Sequence, residues 1–431
     1  MSRVVRRLPL SVALAALPMS VLAAEPVREN TSPAATPAPS SLWDKPALLE
    51  VPGGPREQLR EAGIDIELRL TQFYQSVFAG DGSDQWEYSG KLDAIATVNL
   101  SELGLWRGLF VNVHQEVVWG DDVNFAGDGS LIPLNTAIAF PRLGGEDHDT
   151  SITVTQVLGP GSSISLGKFN LLEAASKTPL LGGGGQTTFM NLGLAAPISG
   201  VTPPYILGAI GTVATEAAIF TGIVYDPRNA QDSDVLEDPF SDGVTLSGQV
   251  TFPTEFGGLP GFYAVQGVYS SAEGFDLARI PQAAALPPES AAILTQEGYW
   301  YFSASAQQFL QMTPEDPTRG WGVFGKVGIS DGNPNVFQWS VLAGLGGASP
   351  IPGRSQDNWG IAYFRYGLSD DLLDGLATIG IDLQDEQGIE AYYAVTIAPW
   401  LQITADIQWI DPHEAERDDA WVAGLRARTH L

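Results

Sequence analysis

The sequence predicts an all-β chain: a closed antiparallel transmembrane β-barrel of roughly 16 strands (16–18), with a short N-terminal helix and a polar lumen. Three observations predict it. The last segments alternate strictly between apolar and polar residues and run to the C-terminus. An export leader opens the chain. Beyond that leader, no apolar run approaches the length of about 18 residues that a spanning helix needs. The nearest, 201–225, is interrupted by Pro203, Pro204 and Glu216. Any membrane crossing must therefore be made by strands.

The alternation is clearest at the end. Leu401, Ile403, Ala405, Ile407 and Trp409 fall on one face of a strand, and Gln402, Thr404, Asp406 and Gln408 on the other. In the closing strand Trp421, Ala423, Leu425, Ala427 and Leu431 share a face opposite Arg426, Arg428 and His430. The pattern predicts apolar side chains around the outside of a cylinder and hydrophilic ones in its hole.

At the other end, Arg3, Arg6 and Arg7 precede an apolar run of 15 residues from Leu8 to Leu22, and small residues follow at Ala23 and Ala24. This is the layout of a secretory signal peptide over 1–24, too short for a membrane span. Residues 25–45, rich in Pro, Ala, Ser and Thr, predict a disordered leader. Within 46–63, Pro55 opens and Gly63 closes a helix-forming stretch, predicting a short helix at or in the barrel mouth. The barrel domain then occupies 64–431.

Within it, Ile66, Leu68 and Leu70 alternate with Glu67, Arg69 and Thr71. Leu92, Ala94, Ala96 and Val98 alternate with Asp93, Thr97 and Asn99. After a turn over 101–108, Leu109, Val111 and Val113 alternate with Asn112 and His114. Similar strands are expected at 151–158, 161–169, 205–213, 217–225, 244–252, 261–270, 298–309, 320–329, 336–344, 358–367, 377–384 and 388–398. No helical period of comparable strength follows residue 64. Long loops rich in Gly, Asp and Pro are expected at 119–148, 226–242, 271–297 and 345–357, and tight turns, such as Ala398-Pro399-Trp400, at the opposite end.

Composition narrows the class. The chain has no cysteine, which excludes disulfides and thiolate metal sites. Loss of the three leader arginines from 22 basic residues leaves 19 against 50 acidic ones. That balance argues against nucleic-acid binding. It suits outer loops and a lumen that carry charge, or simple solubility in transit. The four histidines are scattered. Glu146-Asp147-His148-Asp149 reads as a solvated acidic loop rather than an ordered cation site. No cofactor is predicted.

Several strings resemble the carbohydrate-selective porins of the OprB family. Glu390-Ala391-Tyr392-Tyr393, Pro399-Trp400-Leu401, Asp406-Ile407-Gln408-Trp409-Ile410-Asp411-Pro412 and Gly424-Leu425-Arg426 resemble its closing strands. Leu103-Gly104-Leu105-Trp106 resembles its first long turn. Gly167-Lys168-Phe169-Asn170, Gly182 to Gly185 and Phe189-Met190-Asn191 resemble its central segment. Trp321-Gly322, Ser330-Asp331-Gly332-Asn333-Pro334, Gly353-Arg354, Asp357 and Gly360-Ile361-Ala362-Tyr363 resemble further strands and loops. The strings are collinear over nearly all of 55–431. One departure is the C-terminus, Thr429-His430-Leu431, where such barrels commonly end on Phe.

The resemblance implies passive, selective diffusion of sugars across the outer membrane of a Gram-negative bacterium. It implies outer-membrane lipid and the barrel-assembly machinery as partners. Either a monomer or a homo-oligomer fits the pattern. A neutral sugar asks for carboxylates, amides and guanidinium groups around a constriction, and for weak binding. The inward set on the early strands is Glu67, Arg69, Asp93, Asn112, His114 and Glu116. On the last two strands it is Gln402, Asp406, Gln408, Arg426 and Arg428, with Asp406, Gln408, Arg426 and Arg428 placed first because adjacent strands set them on one wall. An ion pair from Asp406 to Arg426 or Arg428 is the plainer role for those groups. The Gly182–Gly185 run predicts a loop able to fold into the channel. The alternatives are a non-specific porin or adhesin, and a secreted β-rich glycoside hydrolase using two of the many carboxylates.

Overall fold

A computed structural model describes residues 41–431, except Ala292 and Glu315. The expected signal peptide and most of the expected leader lie outside the described residues. The helix appears as α1 (Pro55–Glu61), with Pro55 in its first turn. It sits at the barrel rim, where Arg56 donates to the carbonyls of Ile66 (2.7 Å) and Leu431 (2.5 Å).

Sixteen strands follow and close on themselves. The first eight are β1 (Ile64–Ala79), β2 (Glu87–Asn99), β3 (Leu109–Gly120), β4 (His148–Gly159), β5 (Ser162–Asn170), β6 (Tyr205–Ala214), β7 (Ile219–Tyr225) and β8 (Thr245–Phe256). The second eight are β9 (Leu259–Phe275), β10 (Thr295–Thr313), β11 (Asp316–Ser330), β12 (Phe337–Ala348), β13 (Asn358–Leu368), β14 (Glu386–Ala398), β15 (Leu401–Asp411) and β16 (Ala420–His430). Every strand pairs antiparallel with its sequence neighbours, and β1 pairs with β16, from Arg69 opposite His430 to Ala79 opposite Trp421. Closure leaves no strand edge to satisfy in lipid.

The outward face is apolar, as the alternation requires. Ile152, Leu166, Phe220, Leu246, Val327, Ile361, Ile407 and Leu425 are all exposed. Aromatic residues stud both rims of this belt. Tyr74, Trp86, Tyr88, Tyr269, Trp300 and Trp421 lie toward the long-loop end, and Trp106, Phe252, Phe256 and Tyr263 toward the termini. Amphipathic rings favour those two depths in a bilayer.

Two of the long connections fold inward. The 121–147 segment carries α2 (Thr136–Arg142), and the 171–204 segment carries α3 (Leu171–Ser176) and α4 (Leu192–Ala195). Nearly all of 131–142 and 178–206 is buried. Gly182 to Gly185 all adopt positive φ, and a Cβ on Gly184 would stand 2.6 Å from the Leu172 carbonyl oxygen. The glycine run thus permits the inward fold that the sequence suggested.

Three expectations are corrected. The stretch 377–384 is not a strand. It is the end of helix Asp370–Ala377 and the chain after it, and Ile379, Ile381 and Leu383 alternate because they pack onto the interior apolar cluster. The loop expected at 345–357 is shorter, since β12 runs to Ala348, and 349–357 lies at the short-turn end. Helices do occur after residue 64, as short pieces inside the long loops, where no sustained apolar period marks them.

The interior also differs from a wholly hydrophilic hole. Phe324, Phe364, Tyr366 and Tyr392 point inward from β11, β13 and β14 and bury against Phe189, Leu192 and Leu194 of the infolded segment. Phe189 meets Phe324 and Tyr392 edge-on at 5.8 and 5.0 Å between ring centroids. Apolar residues lie on both faces of these strands because lipid covers one face and folded chain the other.

Candidate channel lining and constriction

The inward residues divide into a charged wall and a neutral one. On β1 to β5 the charged groups pair closely. Arg69 reaches Glu67 at 3.3 Å and Glu173, on α3, at 2.6 Å. The ammonium of Lys91 stands 2.5 Å from Glu116, which also accepts from Asn170 at 3.2 Å and from the Tyr205 hydroxyl. His114 Nε2 lies 2.8 Å from Asp93 Oδ1, and Lys168 bonds Asp149. Asn112 donates to Thr97 at 3.0 Å. In the low dielectric of a packed wall, a buried charge persists only with such partners.

Asp93, His114 and Glu116 bring possible metal donors within 4.8 Å of one another. The Lys91 ammonium beside them supplies the positive charge that a metal would bring, so the cluster reads as a buried ion-pair network. Asp149 is part of β4, buried against Lys168, and Asp147 pairs with Arg142 at 2.8 Å, so the 146–149 run is not one open acidic loop. In the same inward segment, burial pushes the Asp122 carboxyl up, against hydrogen bonds from Arg142 and Asn124.

On β15 and β16 the expected residues do share one wall, with Gln402 opposite Arg428 and Thr404 opposite Arg426. Their partners were not foreseen. Arg426 is fully buried and donates to the Gly185 carbonyl at 2.9 Å and to Thr404 at 3.3 Å. Gln408 donates to the Leu134 carbonyl (3.0 Å) and to Asp406 (3.1 Å), and accepts from Asn191 (3.2 Å). Among the described residues, no ion pair within 4.0 Å joins Asp406 to Arg426 or Arg428. These groups hold the infolded segments, while Glu67, Asn112, Gln402 and Arg428 keep partial access to solvent.

Across the barrel the lining of β8 to β10 is neutral, beside the inward-facing Lys326 of β11. Ser247, Gln249 and Thr251 on β8, Gln266 on β9 and Ser303 on β10 face inward. Gln266 donates to Ser247 at 3.1 Å and accepts from Ser303 at 3.5 Å. Such groups offer both donors and acceptors and no net charge.

Sequence reasoning missed Lys91, Lys168, Glu173, Gln307, Glu386 and Glu390. Lys91 was readable as inward, because it continues the alternation already seen through Asp93. Glu173 lies on α3, where no strand period marks it.

The chain matches the family model of the carbohydrate-selective porins, OprB family, over residues 86–431. The protein belongs to that family. Porins are channels rather than enzymes, and membership implies a Gram-negative outer membrane. It is 28% identical to Porin B of Pseudomonas aeruginosa over 151 residues, 31% of this chain and 33% of that protein. It is 25% identical to the putative porin QuiX of Acinetobacter baylyi over 194 residues, 41% of this chain and 42% of that one. The matching stretches thus span less than half of either relative. The high-pH structure of Pseudomonas putida OprB superposes with a TM-score of 0.78 at 20% identity, covering 91% of this chain and all of that one. That likeness confirms the closed 16-strand OprB-type barrel.

Proposed function

We propose that this OprB-family porin lets carbohydrates, monosaccharides or small oligosaccharides, diffuse passively through a water-filled channel. The observation that carries the reading is the polar lining beside the infolded segments. A wall of paired charges, bridged to infolded α3 by Arg69 and Glu173, stands across from a wall of Ser, Thr and Gln. Paired charges present donors and acceptors without a strong net field, which suits a neutral polyol and disfavours tight ion capture. The half-exposed Glu67, Asn112, Gln402 and Arg428 are the proposed contacts for a passing sugar, and the buried members of the expected set act by holding the lumen's shape. The proposal includes export through the 1–24 signal peptide, insertion by the barrel-assembly machinery, and a boundary of outer-membrane lipid against the apolar belt.

Planar-bilayer recording tests it. Mono- and disaccharides should reduce the open-channel current in a saturable way. A steady ion current that no sugar blocks would mark a non-specific pore.

A further inference from the structure

The two infolded segments are gripped by one strand in the same manner. On β14, Glu386 accepts the consecutive backbone N–H groups of Leu131 (2.6 Å) and Ile132 (3.0 Å). Four residues along, on the same inward face, Glu390 accepts those of Met190 and Asn191, the latter at 3.0 Å. The segments are also tied to each other. Thr136 donates its N–H (2.8 Å) and its hydroxyl (2.7 Å) to the Met190 carbonyl, and Leu192 donates to Pro133 at 2.9 Å. Gln408 touches both segments through Leu134 and Asn191. Glu390 lies at the centre of this clasp. It is fully buried, and among the described residues no lysine or arginine lies within ion-pair distance. A buried carboxyl without a counter-cation is costly as an anion, and its partners here are the two N–H donors and a hydrogen bond shared with the neighbouring Asp406 carboxyl. Gln307 plays a matching part with a neutral amide, accepting from Leu180 (3.0 Å) and Leu181 (3.1 Å).

We propose that Glu390 is a positioning residue that sets the width of the constriction by clasping the tip of the 171–204 segment against the 131–136 stretch. The proposal deepens the channel reading and rests on it. Glu390 holds backbone rather than solute, so its loss changes pore size without removing a lining charge.

The test compares E390A, E390Q and T136V with the wild-type barrel. Each variant is first shown to be folded by its heat-modifiable migration on gels. E390A should raise single-channel conductance about two-fold and raise the ratio of disaccharide to monosaccharide flux in liposome swelling, because pore radius governs both. E390Q keeps one acceptor oxygen and should fall between. T136V removes the hydroxyl bond to Met190 while the backbone bonds between the segments remain; it leaves the barrel wall intact and should shift both readouts the same way, by less than E390A. A role confined to stability would lower the yield of folded barrel and leave the flux ratio per channel unchanged. Wild-type conductance and flux ratio in folded E390A and T136V would overturn the proposal. If E390A fails to fold, wild-type values in T136V and E390Q overturn it equally. Wider variants of a pore that sugars do not block would sink the sugar reading and leave the clasp standing.

Discussion

Arg69→Gln should loosen α3 from the channel wall by about 2 kcal/mol. The Arg69–Glu173 contact is 2.6 Å long, with the two side chains 3% and 16% exposed. A charge-assisted hydrogen bond of this kind contributes about 1.5–3 kcal/mol. Stranding a fully buried partner would cost about 3–5 kcal/mol, but Glu173 keeps some access to water, which places the effect in the lower range. At 1.4 kcal/mol per tenfold, about 2 kcal/mol is a roughly 30-fold rise in the population with α3 detached. Amide hydrogen exchange over Leu171–Ser176 reads that population directly. Glu173→Gln should cost less, because Arg69 retains Glu67 at 3.3 Å. The double variant should show a coupling of about 1–2 kcal/mol. Additive single effects, or unchanged exchange over α3 in Arg69→Gln, would refute the claim that this pair holds the segment.

Two further outcomes follow from the interior. Phe364→Ala, which empties the centre of the apolar cluster against Phe189 and Leu192, should cost about 3–5 kcal/mol. The outward-facing Ile407→Ala in detergent should cost well under 1.5 kcal/mol, because apolar solvent refills the space; urea unfolding measures both. His413, in the 412–419 loop, has its pKa raised: burial pulls it down, but the Glu386 carboxylate, 3.6 Å from Nδ1, more than offsets this. The folded loop therefore holds the proton more tightly than the unfolded chain. Its stabilisation should be complete below about pH 6.5 and fade as pH rises through the raised value. Exchange of the 412–419 amides against pH should show that loss, and His413→Gln should abolish the pH dependence.

Much of this was legible because a strand between lipid and water writes its geometry into every second residue. The strands Leu401–Asp411 and Ala420–His430, the early hairpin at 101–108 and the inward direction of all eleven expected lining residues needed only that period of two. The false strand at 377–384 shows the limit of the same signal. Three alternating apolar residues there answer to a cluster inside the barrel rather than to lipid outside it. The interior aromatics of β11, β13 and β14 erase the alternation for the same reason.

The sequence by itself determined a membrane-spanning barrel, its closure and the inward face of its clearly alternating strands, because hydrogen-bond satisfaction in lipid leaves few other ways to place such a pattern. Only the tertiary structure decided what those inward groups do. Gln408, Arg426 and Glu390 look alike as polar lining, yet each is spent on backbone groups 199 or more residues away in sequence. Loops that fold back into a lumen carry no periodic mark of where they will land, so the shape of the opening was fixed by contacts that no local pattern encodes.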